Sequence, residues 1–123
     1  MNEFEGPQPF KTMVSLKGLI RTFIERSGNR VTVLVPEDPE FPDASRKAVV
    51  EGEVDEGRFI IHSLRTKSMQ ENHGYARALL EAIKGGMDVD EVVALSPSPE
   101  SEEKGIYDKA GFKREGRNRV WRR

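Results

Sequence analysis

Apolar residues change their spacing several times along this chain, and each change marks an element. Leu16, Leu19, Ile20, Phe23 and Ile24 recur at steps of three and four, the spacing of one helix face. Thr12 or Ser15 would cap that helix and Gly28 would stop it. From Arg30 to Val35 the pattern alternates and is rich in valine, which predicts a strand. Pro36 to Asp43 holds three prolines among acidic residues and predicts a loop. Lys47 to Val54 and Arg58 to Leu64 predict two strands joined by the hairpin signal Asp55-Glu56-Gly57. Ala76, Leu79, Leu80 and Ile83 share one face of a helix that Gly85 and Gly86 end. Glu91 to Leu95 is short and apolar, as a central strand is. Ser96-Pro-Ser-Pro-Glu-Ser101 breaks it, and a short capped helix runs from Ser101 to Ala110, stopped by Gly111. Phe112 to Gly116 and Arg119 to Arg122 predict closing strands. Residues 1 to 9, with Gly6, Pro7 and Pro9 and no periodicity, are expected to be flexible. The order helix, three strands, helix, strand, helix, strand predicts an α/β sandwich built on a mixed sheet.

A chain of 123 residues is expected to form one domain over 1 to 123, large enough to bury a core without covalent staples. It has no cysteine, so disulfides, a thiolate nucleophile and cysteine metal sites are excluded. His62 and His73 lack metal-ligand spacing, so no metal is expected. No apolar run is long enough to span a membrane, and the N-terminal Met-Asn-Glu-Phe-Glu-Gly lacks the pattern of a secretion signal. A cytoplasmic protein without a membrane partner is the expectation. The net charge of -1 argues against general nucleic-acid binding. The charge is unevenly spread. Glu37 to Glu56 holds eight acidic residues against Arg46 and Lys47, and Lys104 to Arg123 holds eight basic residues against Asp108 and Glu115. These runs are either solvated faces or an acidic rim for a cationic substrate and a basic end near a polyanionic cofactor.

The most informative stretch is Leu64 to Phe112. A polar, glycine-bearing loop from Thr66 opens the helix that ends at Ile83. A strand, a loop and then a helix N-terminus offer backbone N–H groups and a positive dipole end to a phosphate. Small residues at Gly74 and Ala76 would let that phosphate approach the backbone. Further on, Gly105-Ile-Tyr-Asp-Lys-Ala-Gly-Phe112 places Tyr107 on a short helix just before a glycine. The two segments together point to a phosphate-bearing cofactor beside a phenol that can move a proton.

The run Leu64-x-Thr66, followed by Glu71-Asn-His-Gly74-Tyr-Ala76 and Arg-Ala-Leu-Leu-Glu-Ala-Ile83, resembles the acyl-CoA-binding motif of the GNAT superfamily of N-acyltransferases. Ile106-Tyr-Asp-Lys-Ala-Gly-Phe112 resembles the later Tyr-x-(Lys/Arg)-x-Gly-Phe signature of that superfamily, at the family's separation and with a strand between. The resemblance covers roughly residues 47 to 116. It implies a GNAT-like mixed central sheet flanked by helices, compact and with a shortened N-terminal part. It implies acetyl-CoA bound by Leu64, Arg65, Thr66, Glu71, Asn72, His73, Gly74, Tyr75, Ala76 and Arg77, with Tyr107 as the general acid. The strand before the loop would splay from Glu91–Leu95, and its free backbone groups near Leu64 to Thr66 would take the pantetheine amides as another strand would. A backbone N–H near Leu64 or Arg65 would polarise the thioester carbonyl.

The chain departs from that pattern at three places. Glu71 stands where the family has Arg or Gln, and its repulsion of a pyrophosphate would have to be offset by backbone donors with Lys67, His73 or Arg77. Ser68 replaces a frequent proline. Leu95 stands where one common version has a glutamate base. His62, on the strand before the loop, is then a candidate base acting through water, because histidine changes charge near neutrality. It could equally be a cross-strand histidine on a sheet surface, and Glu51 and Glu53 on the neighbouring strand are the other candidates. No Ser–His–acid or Cys–His set is visible, which agrees with direct transfer and no covalent enzyme intermediate. The resemblance implies transfer of an acetyl group to a primary amine, either a protein lysine or N-terminus or a small amine, by a monomer or homodimer. The alternatives are a GNAT-like domain that binds CoA or a protein without catalysis, and an adaptor touching nucleic acid through Arg117–Arg123.

Overall fold

The computed structural model describes residues 7–15, 18–67 and 74–123. Five strands come first: β1 (Gln8–Ser15), β2 (Gly18–Ser27), β3 (Arg30–Pro36), β4 (Arg46–Asp55) and β5 (Arg58–Thr66). Helix α1 (Tyr75–Gly86) leads to β6 (Glu91–Ala94). The short helices α2 (Pro99–Lys104) and α3 (Ile106–Lys109) precede β7 (Lys113–Glu115) and β8 (Asn118–Arg122). All eight strands form one sheet in the order β1-β2-β3-β4-β5-β6-β8-β7. Pairing is antiparallel everywhere except between β5 and β6, the pair that α1 connects.

The helix expected over Leu16 to Ile24 is not formed; β1 and β2 make an antiparallel hairpin there, with Ser15 opposite Gly18 and Val14 opposite Leu19. The spacing misleads because β2 carries apolar residues on both faces. Ile20 and Thr22 are buried toward α1, and Phe23 joins Leu34 and Val49 in a separate cluster on the other face. Two alternating faces that both carry apolar residues produce the steps of three and four that a helix would give. Strand β1 begins at Gln8, inside the stretch whose sequence shows no periodicity.

The remaining elements form where local chemistry places them. Glu56 (φ 50°) and Gly57 (φ 81°) both lie in the left-handed region, which closes the β4–β5 hairpin with a tight turn. Helix α1 buries Ala78, Leu79, Leu80, Ala82 and Ile83 against the sheet. Its partners are Val31, Val33 and Val35 of β3, Val50 of β4, Phe59 and Ile61 of β5, and Val92 of β6. Tyr107, Ala110 and Phe112 extend the same core, so α3 and α1 lie on one face. Lys84 Nζ donates to the Ala110 carbonyl and fixes the end of α1 to the segment after α3.

Candidate active site

Strands β5 and β6 pair over four residues, from Arg58 with Glu91 to Ile61 with Ala94, and then part. The Leu95 N–H donates to the Ile61 carbonyl at 3.2 Å as the last link. Ser96, in the left-handed region at φ 41°, turns the chain away, and its N–H donates to Asn118 Oδ1 at 3.1 Å. Strand β5 runs on to Thr66 paired with β4 alone, Leu64 with Val50 and Thr66 with Ala48. Among the described residues, the backbone groups that His62 to Thr66 turn toward β6 therefore have no strand to pair with. They form a ready edge for an extended ligand that carries amides.

A β-bulge lies at the point of parting. Glu51 pairs with Ser63 and Gly52 with Ile61, so His62 is an extra residue without a partner on β4. Gly52 permits it: a Cβ there would lie 2.1 Å from the Ile60 carbonyl oxygen. A bulge is a relation between two strands and leaves no trace in one strand's alternation; Gly52, inside an otherwise β-rich run, is the single sequence signal for it.

The parted strands enclose a cleft of about 250 Å³, with Ile61, His62, Leu64 and Arg65 on one wall. Leu95, Ser98, Ser101 and Tyr107 are on the other. Ser98 caps α2, accepting from the Ser101 N–H at 3.2 Å. Tyr107 is 3% exposed and packs edge-on against Phe112, with ring centroids 5.3 Å apart. Among the described residues, nothing hydrogen-bonds its hydroxyl. Burial, aided by the charge of Glu102, pushes its pKa up to about 12, so the phenol is protonated throughout the neutral range.

His62 is exposed, with Nε2 2.8 Å from Glu53 Oε1. It also borders a second groove of about 400 Å³, lined in part by Glu25, Arg30, Thr32 and Glu51, so one residue lines both spaces. Glu51 is engaged by Arg65 Nη2 at 3.2 Å.

The other expected site residues divide. Leu64 and Arg65 line the cleft, and Thr66 ends β5. Gly74 (φ 80°) precedes the first turn of α1, which has neither a side-chain cap nor an acidic residue. The N–H groups of that turn lack helical partners by geometry. Tyr75 and Ala76 are buried, so they offer backbone rather than side chain, and Arg77 is exposed. Glu71, Asn72 and His73 lie outside the described residues. Lys67 is ion-paired with Glu37. Lys47, which no sequence pattern singles out, places Nζ 3.2 Å from the Tyr75 hydroxyl and 4.9 Å from its ring centroid, beside the start of α1. Uncapped N–H groups, Lys47 and an open strand edge suit a ligand with a phosphate at one end and amides along its length. Among the described residues, no three His, Asp or Glu side chains converge as a metal set.

No protein-family model matches the chain, and no curated protein is similar to it in sequence. Solved structures are similar in fold. The GNAT domain of S. lividans PAT matches at a TM-score of 0.66 and 14% identity, over 93% of this chain and 97% of that one. YhhK from E. coli, a candidate N-acetyltransferase solved bound to coenzyme A, matches at 0.65 and 14% identity, over 80% and 76%. Nourseothricin acetyltransferase matches at 0.52 and 14% identity, over 89% and 71%.

Proposed function

With the fold of the GNAT N-acyltransferases as premise, we propose that the chain moves an acetyl group from acetyl-CoA to a primary amine by direct attack. The observation that carries this is the coincidence, in one cleft, of the parted β5 edge, the bulge at His62 and the buried phenol of Tyr107, which has no hydrogen-bond partner among the described residues. In this assignment the first turn of α1, with Lys47 and Arg77, holds the pyrophosphate, and the His62–Thr66 edge holds the pantetheine. The acceptor amine, a protein lysine or N-terminus or a small amine, approaches His62 as the free base. Its nitrogen forms the new bond to the acyl carbon while the carbon–sulfur bond breaks. His62, oriented by Glu53, takes the proton from nitrogen through water, and Tyr107 donates toward the departing sulfur.

The raised pKa sets the manner of that donation. A thiol titrates near 8.5, so full transfer from a phenol at about 12 to a free thiolate is uphill by about 5 kcal/mol. Tyr107 therefore acts mainly as a hydrogen-bond donor to charge growing on sulfur. Absence of cysteine suits a reducing cytoplasm, where a monomer or homodimer is proposed.

The test pairs calorimetry of acetyl-CoA binding with thiol release over a panel of spermidine, free amino acids and lysine peptides. Binding is expected, and Tyr107→Phe is expected to keep it while lowering turnover roughly 10²-fold. Wild-type turnover in Tyr107→Phe would refute the donor role. A non-catalytic domain that only binds CoA is favoured by one feature: the apolar Leu95 on the cleft wall, where a carboxylate base would be well placed. Binding without thiol release on the whole panel would select it.

A further inference from the structure

We propose that Arg119 is a positioning residue for Tyr107, holding the two short helices that present the phenol to the cleft. The inference rests on the assignment of Tyr107 as the group that donates to sulfur. Arg119 pairs with Ala94, the residue at which β5 and β6 part, so its backbone sits at the head of the cleft. It is 8% exposed, an unusual setting for an arginine. Its Nε lies 3.2 and 3.1 Å from the two carboxylate oxygens of Glu102 on α2, and Nη1 donates to Asp108 on α3. One guanidinium thus ties β8 to both helices, across the Gly105 link between them. Asp108 directly follows Tyr107, so the tie reaches the residue next to the phenol.

Helix α3 has four residues, too few to be stable alone, so its place must come from what it is fastened to. Phe112 supports one side of the Tyr107 ring, and the main-chain N–H of Phe112 donates to the Tyr107 carbonyl at 3.0 Å. Arg119 supplies the polar attachment. A planar fork can serve two carboxylates at once, which a lysine ammonium, a single compact charge on a flexible stem, cannot do in the same geometry. The preceding residue acts on the same wall: Asn118 accepts from Ser96 as β6 ends. The start of β8 therefore braces the wall of the cleft that carries the phenol.

The experiment uses the whole chain labelled with 3-fluorotyrosine. There are two tyrosines, and Tyr107→Phe assigns their ¹⁹F signals. In Arg119→Lys, with circular dichroism showing the fold retained, the Tyr107 signal is expected to shift and broaden while the Tyr75 signal stays. Turnover, read as thiol release from acetyl-CoA with spermidine and lysine peptides, is expected to fall roughly 10- to 100-fold with little change in KM for acetyl-CoA. In the Tyr107→Phe background the same substitution is expected to cost nothing further. Glu102→Gln, which weakens the same tie with little change of shape, is the second variant should Arg119→Lys not fold. An unmoved Tyr107 signal in a folded variant would overturn the proposal, as would an equal rate loss in both backgrounds. A signal that moves while Tyr107→Phe keeps full turnover would uphold the positioning and overturn the donor role instead.

Discussion

The bulge at His62 makes a strong demand on Gly52, and Gly52→Ala tests it. A Cβ at that position would lie 2.1 Å from the Ile60 carbonyl oxygen and 3.0 Å from both the Ile60 carbonyl carbon and Phe59 Cζ. Contacts of a Cβ below 3.0 Å are essentially never found, so β4 and β5 would have to separate by at least 0.9 Å. The obstructing atoms are backbone and a fully buried ring, neither of which can swing aside as an exposed side chain would. Overpacking of this kind costs about 3 kcal/mol. For a domain of this size that corresponds to a fall in Tm of roughly 10 °C. The chain could relieve the clash by releasing the bulge, but that would return His62 to the ladder and rotate the residues beyond it to opposite faces. Acetyl-CoA affinity should then fall by roughly tenfold or more, because the β5 edge no longer faces the cleft. Thermal unfolding and calorimetry read the two costs separately. A Gly52→Ala protein with the parent's Tm and the parent's affinity would show that the bulge is not where the register places it.

Two further outcomes are expected. His62→Gln keeps length and polarity but loses the base, so turnover should drop by roughly 10²–10⁴-fold with acetyl-CoA binding unchanged, and an unaltered rate would move the role to Glu51 or Glu53. The second concerns alkaline stability. Because the Tyr107 pKa is raised from 10.0 to about 12, its contribution is complete below pH 10 and is lost as pH rises toward 12, on the order of 3 kcal/mol in all. Urea unfolding should therefore show Tyr107→Phe losing less stability than the parent in that window, and equal losses would contradict the burial of the phenol.

What could be read from the sequence was what depends on near neighbours. The Glu56–Gly57 turn, the amphipathic face of α1 and the Gly111-Phe112 stop after Tyr107 each follow from residues a few positions apart, and each is found where expected. Strand β2 was not readable. Its apolar residues pack against different partners, Ile20 in the core with α1 and Phe23 against Leu34 and Val49, and neither partner is local. The same limit hid half of the site. Lys47 comes to the start of α1 only because β4 pairs with β5. Arg119 reaches Glu102 and Asp108 only because β8 closes against β6.

Charge shows most clearly how a sequence pattern changes meaning once the chain is folded. The acidic run suggested a rim for a cationic substrate, yet Glu37 is paired with Lys67, Glu51 with Arg65, and Asp55 with Arg58, while Glu53 is held against His62. The basic run suggested a cradle for a polyanion, yet Arg114 and Arg119 meet Glu102, Arg122 meets Glu91 and Glu115, and Arg123 meets Asp90. Part of each run is thus paired at short range, and salt screens what remains beyond a Debye length. In the proposed assignment the positive charge for a phosphate comes instead from Lys47 and Arg77 at the head of α1, outside the basic run altogether. On the proposed reading, recognition depends on groups that act at contact distance: the helix start, the open β5 edge and His62, which lines both the cleft and the groove beside it.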